Sequence, residues 1–130
     1  MQNKTLVATA APAERRGIGF IKSRKSDDKL MDLSEQMIKG ASENGIHIID
    51  VIVDQTSGVD IDRHNVDRLV AWMEKPYIDV VVVHSIFDIS RDLDDLLAFL
   101  MRAEALDVEV LSMSENFEVA SLPWDGDFLC

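Results

Sequence analysis

Cysteine is almost absent from this 130-residue chain. Its one thiol, Cys130, is the last residue, so no internal disulfide can form. The three histidines, His47, His64 and His84, are scattered and lack the ligand spacing of a structural zinc site. Long apolar runs are missing too. No stretch approaches the roughly 18 apolar residues a membrane helix needs. The weakly apolar opening is broken by Thr9 and Pro12 and is too weak for a secretion signal. Neither GxxxxGK[ST] nor GxGxxG occurs, which leaves a P-loop or a dinucleotide-binding turn without support. No Pro/Gly-rich linker, internal repeat or low-complexity tract divides the chain. These absences predict a single cytoplasmic domain with no membrane partner, no metal and no other cofactor.

Positive charge is also scarce, and its placement matters more than the net charge of −11. Residues 1–40 carry eight Lys/Arg against five Asp/Glu, whereas residues 41–130 carry five against nineteen, a net of −14. Nucleic-acid binding relies on Lys and Arg displacing counterions from phosphates. Any contact with DNA must therefore be local. The one basic island is Arg15, Arg16, Lys22, Arg24, Lys25 and Lys29, which reads equally well as solvated charge beside a strand end.

What the chain does have is an ordinary globular balance, 47% apolar and 28% charged, and a regular alternation of elements. Residues 17–23 (GIGFIKS) read as a short apolar strand. Ser26 or Asp27 can cap a helix that places Leu30, Leu33, Met37, Ile38 and Ala41 on one face, and Asn44-Gly45 can stop it. Residues 46–53 (IHIIDVIV) are a β-branched strand, followed by a polar, turn-rich loop over residues 54–62. Asp62 can cap a second helix with Val66, Leu69, Val70 and Met73 inward, ended by Pro76. The four consecutive valines within residues 78–84 suit a central parallel strand covered on both faces. Ser90 can cap a third helix, with Asp92, Asp94 and Asp95 in its first turn and Leu93, Leu96, Leu97 and Leu100 in the core. A strand over residues 108–113 follows, then a tail of 17 residues with acids and no bases. Four strands alternating with three helices predict an α/β fold: a mainly parallel four-stranded sheet with helices on both faces. On this reading residues 1–16 are a flexible tail, residues 17–122 the domain and residues 123–130 its C-terminal end.

Parallel sheets of this kind carry their sites at the carboxyl ends of the strands. Three polar clusters fall there: Lys22-Ser23-Arg24, Asp54 to Arg63, and His84 to Arg91. Lysine, serine and arginines converging on one edge suggest a phosphate site, because guanidinium groups hold phosphoryl oxygens bidentately and a serine can serve as nucleophile. His84 could contribute, although a histidine ending an apolar strand is more commonly a hydrogen-bonded structural residue. Asp50, Asp54 and Asp88 loosely resemble the acidic pocket of a receiver domain. Asp88, however, follows Phe87 in a loop, and the lysine expected after a later strand is missing.

The motifs themselves are more specific. Ile18-Gly19-Phe20-Ile21-Lys22-Ser23 resembles the IGYxRxS opening of serine site-specific recombinases, the resolvase/invertase family. Asp54-Gln-Thr-Ser57-Gly58 followed by Arg63 matches that family's D-x-x-SG-x(4)-R, and Phe87-Asp88-Ile89-Ser90-Arg91-Asp92 resembles its DRLxRD. The resemblance runs from about Gly17 to Met113 and implies a resolvase-like catalytic domain acting on DNA. In that family a serine attacks a phosphodiester to form a 5′-phosphoserine, and arginines stabilise the transition state without metal or cofactor. Carried onto this chain, it implies Ser23, Arg63 and Arg91 as catalytic residues and Lys22 and Ser57 as phosphate contacts. It also implies a mobile-element or phage setting. A homo-oligomer is implied when the family's long dimerisation helix, followed by a DNA-binding module, is present; this chain stops near Pro123-Trp124-Asp125-Gly126-Asp127, where that helix would begin.

The departures are equally specific. Aligned without a gap, the strand arginine becomes Lys22 and the nucleophile becomes Arg24. A slip of one residue puts Ser23 in the nucleophile's place and loses the arginine to Ile21. The first arginine of DRLxR is replaced by Asp88, an acid that would repel the phosphate. These changes imply weak or absent cleavage. The alternative is a non-enzymatic interaction or regulatory domain on the same fold, pairing through its acidic surface; a receiver-like signalling domain is a third reading.

Overall fold

The computed structural model describes residues 15–23, 25–55 and 64–120. Among them the chain alternates β1 (Arg15–Lys22), α1 (Asp27–Glu43), β2 (Ile46–Asp54), α2 (His64–Met73), β3 (Val80–Val83), α3 (Leu93–Ala105), β4 (Glu109–Ser112) and β5 (Glu118–Val119). The strands form one sheet in the order β2-β1-β3-β4-β5. The first four are parallel and β5 runs antiparallel to β4. Arg15 and Arg16, which the sequence alone places in the tail, belong to β1.

Period-two alternation divides the core between the two faces. Ile18 and Phe20 of β1 join Ile52, Val81, Val83 and Val110 under α2 and α3, which contribute Val66, Leu69, Leu96 and Phe99. On the opposite face Ile21, Ile48, Val80, Val82 and Leu111 pack against Leu30, Met37 and Ala41 of α1. Covering both faces explains why all four valines of β3 are fully buried.

The helix stop at Asn44-Gly45 is as the sequence indicates: Asn44 is the C-cap and Gly45 has φ +76°. Other details differ. Ser26 is the N-cap of α1 without a side-chain capping bond, and Ile38 is exposed. In α3 the cap is Asp92, whose side chain accepts from the Asp94 N–H at 2.9 Å. Ser90 stands two residues earlier: its hydroxyl accepts from the Asp92 N–H and donates to the Asp95 carboxylate. The buried stripe of α3 is Leu96, Phe99 and Ala103, whereas Leu93 and Leu97 are 37% and 44% exposed. A helix covering one sheet face buries only part of its circumference. The face that Leu96, Phe99 and Ala103 turn to the sheet leaves the Leu93–Leu97 row at its margin.

The fifth strand lies in what the sequence alone reads as tail. A 3₁₀ turn over Met113–Glu115 leads into Asn116 and Phe117, both left-handed at φ +59° and +63°, and these reverse the chain. The Phe117 N–H bonds the Ser112 carbonyl at 2.8 Å, and its ring lies over Gly40 of α1, where any Cβ would collide with it.

At Gly19 the Met37 side chain of α1 presses directly on β1. A Cβ there would sit 2.6 Å from Met37 Sδ and 3.2 Å from Val51 Cγ2. Gly19→Val should therefore destabilise the domain by about 1–3 kcal/mol through overpacking. Adding Met37→Ala should recover part of the loss in a thermal-melt double-mutant cycle; strictly additive effects would show that Met37 is not what the new side chain meets.

Candidate active site

The parallel register brings three strand ends to one edge: Lys22 pairs with Asp54, and Phe20 with Val83. Pairing continues one step past each end. The Ser23 N–H donates to the Asp54 carbonyl at 2.9 Å, and the His84 N–H to the Phe20 carbonyl at 3.0 Å. The His84 carbonyl in turn accepts from the Ser114 N–H, so His84 ties β1 to the turn after β4. Asp54 is buried, while Lys22 and Ser23 are half-buried.

Beyond His84 the chain tightens into a 3₁₀ turn over Ile86–Asp88, begun by Ser85, whose hydroxyl accepts from the Phe87 N–H. Ile86 and Ile89 are buried on either side and draw the turn against the sheet. Asp88 thereby points inward. Its Oδ2 accepts from the Lys22 N–H at 2.9 Å and lies 3.9 Å from His84 Nδ1, with only 13% of the side chain exposed. Burial pushes the Asp88 carboxyl above the ordinary carboxylate range. The Lys22 hydrogen bond and the His84 and Lys22 charges oppose that rise without cancelling it.

The structure thus gathers Lys22, Ser23, Asp54, His84 and Asp88 at the carboxyl edge of β1–β3. The Ser23 hydroxyl accepts from the Lys25 N–H at 3.2 Å, a local turn that fixes the chain leaving β1. Arg91 lies exposed just ahead of the Asp92 cap. Arg24, Ser57, Gly58 and Arg63 lie outside the described residues, and with them the expected clamp of Lys22, Arg63 and Arg91 on one phosphate. Sequence reasoning missed that Asp88 is a main-chain acceptor. The apolar pair Ile86 and Ile89 signals that this turn packs against the sheet, but not which of Phe87 and Asp88 turns inward. Among the described residues no helix is long and apolar enough to cross a membrane, and no three His, Cys, Asp or Glu side chains are grouped to hold a metal ion.

The sequence profile of the family "Resolvase, N terminal domain" matches residues 22–126, most of the chain. The chain belongs to this family. It is a resolvase-type domain of the serine recombinases, and solved structures share its fold. The N-terminal catalytic domain of TP901-1 integrase superposes with TM-score 0.63 at 21% identity, covering 87% of this chain and 88% of that one. A resolvase family site-specific recombinase from Streptococcus pneumoniae gives TM-score 0.67 at 16% identity, covering 82% and 76%. The C-terminal catalytic domain of ISC1926 TnpA, an IS607-like serine recombinase, gives 0.62 at 20% identity, covering 76% and 70%. Comparison with curated protein sequences gives no match.

The position of Asp88 in this resolvase-type fold has a consequence for stability. Its folded-state pKa is raised, so the native state takes up a proton more readily than the unfolded chain. The stabilising contribution is full at acid pH, below the unfolded carboxylate value, and is lost as pH rises through the raised one. Asp88→Asn keeps an oxygen for the Lys22 N–H and cannot ionise. The variant should melt at higher temperature than wild type at neutral pH, with the difference disappearing below about pH 4. A lower melting temperature at neutral pH would mean that the ionised carboxylate is net stabilising.

Proposed function

We propose that this domain serves site-specific DNA recombination in a mobile element or phage, with strand cleavage strongly weakened. Family membership supports the DNA substrate. The observation that carries the weakening is the Asp88 carboxylate, held against the end of β1 where the family motif has an arginine. In this reading Ser23 Oγ attacks the scissile phosphorus. It forms a phosphoserine as the 3′ oxygen leaves with a proton, while Arg63 and Arg91 neutralise the phosphoryl oxygens and Lys22 and Ser57 hold them. Single transition-state donors of this type are worth about 10²–10³ in rate, so losing one arginine and misplacing the serine costs several orders of magnitude.

A second reading is a protein-interaction role, including assembly of a homo-oligomer. Its support is Leu93, Leu97 and Met101, spaced four apart on α3 and all exposed, with Val119 of β5 also exposed.

The test is a gel assay for the covalent protein–DNA adduct, using the domain fused to a sequence-specific DNA-binding module and a nicked substrate carrying that module's site. Little or no adduct is expected. Asp88→Arg alone should not restore it, because Arg24 still occupies the ungapped nucleophile position. Combining it with Arg24→Ser should raise adduct formation. Strong adduct from the unaltered domain, abolished by Ser23→Ala, would overturn the reading of weak activity and make Ser23 the working nucleophile. The isolated chain should bind duplex DNA more weakly than about 1 μM at roughly 150 mM salt, because its acidic surface opposes the phosphates. Fluorescence anisotropy on labelled duplex checks this, and tighter binding would reveal a concentrated basic face.

A further inference from the structure

Strand β3 turns away from β1 after Val83, and His84 supplies the last main-chain bond, to Phe20. The next outward N–H on that side of β1, at Lys22, has no strand to receive it and is met by the Asp88 carboxylate instead. A backbone N–H at a strand end, with a lysine on the same residue and an imidazole beside it, is also what an oxyanion would seek. The Asp88 Oδ2 therefore sits where a phosphoryl oxygen would sit.

We propose that Asp88 is a built-in competitor for anions at the end of β1, so that capture of a phosphate or sulfate group there is coupled to uptake of a proton by Asp88. The inference rests on reading this edge as a phosphate site. While Asp88 is ionised, an incoming dianion meets a like charge at contact distance, and the Lys22 N–H is already engaged. Once protonated, the carboxyl can release that N–H and donate its own O–H to the ligand. Burial already favours the protonated form. The charged groups facing Asp88 are Lys22 on β1 and His84 after β3; Asp54 ends the neighbouring strand β2, and Arg91 precedes α3. His84 faces the same edge, 3.9 Å from Asp88, so its share in anion binding has to be removed by substitution.

The experiment titrates sulfate, whose charge is constant near neutrality, into the full chain carrying His84→Gln, following the Lys22 and Ser23 amides by NMR. Binding should tighten about tenfold or more between roughly pH 8 and pH 4, because Asp88 takes up its proton above the ordinary carboxylate value and competition at contact distance is large enough to read. Adding Asp88→Asn should give the tight affinity at both pH values. Calorimetry in buffers of different ionisation enthalpy should show net proton uptake when Asp88 is present and none in the Asp88→Asn variant. Equal affinity with and without Asp88→Asn at the higher pH, or binding without proton uptake, overturns the competitor role. If Lys22→Met abolishes sulfate binding while Asp88→Asn changes nothing, the phosphate-site reading survives and only this inference falls. If sulfate binds none of the proteins, or binds away from Lys22, both fall.

Discussion

Strand β1 is buried on both faces and flanked by β2 and β3, so nearly every polar group along it must be satisfied by the neighbouring strands. The two neighbours do not have the same reach. β2 runs beside β1 to its last residue, Lys22, whereas β3 leaves the ladder opposite Phe20. The difference exposes one edge of β1 just where the chain emerges from the core, and a half-buried N–H without an acceptor would be costly there. Asp88 supplies that acceptor from a side chain, which makes the 3₁₀ turn after β3 part of the sheet's hydrogen bonding. That bond joins the end of β1 to the β3–α3 connection, and with the Ser23 bond to Asp54 and the burial of Ile86 and Ile89 it sets Ser23 and the segment leading to Arg91 at one edge.

Much of the sheet was legible before the structure because its signals are local. β-Branched runs mark β2 and β3, and Asn44-Gly45 stops α1 with residues that tolerate left-handed backbone. The resolvase motifs were legible for a related reason: Lys22-Ser23, Asp54 and Asp88-Arg91 lie at strand ends, where spacing in sequence translates into neighbourhood in space. What failed depends on longer-range packing. The buried side of α3 runs through Leu96, Phe99 and Ala103, which the leucine spacing alone does not reveal. β5 depends on two successive left-handed residues, and Phe117 has no compositional preference for that conformation; contact with Gly40 of α1, distant in sequence, accompanies it.

The same distinction changes the meaning of Asp88. Aligned to the family motif it is a missing cation, a defect judged only by its charge. In the fold it is an acceptor that closes the end of β1. An arginine cannot accept a hydrogen bond, so with a cation at this position the Lys22 N–H would turn to water or to an anion. A positive side chain and an open N–H therefore come together, and each favours a phosphoryl oxygen. A carboxylate at the same position removes both at once, by adding a negative charge and by occupying the donor. On the proposed reading one residue thus alters the edge twice, and the second alteration is invisible to any reading of charge alone. On that same proposed reading, the fold gains a satisfied strand end from the same residue that weakens the edge as an anion site, so the architecture can persist while its chemistry changes.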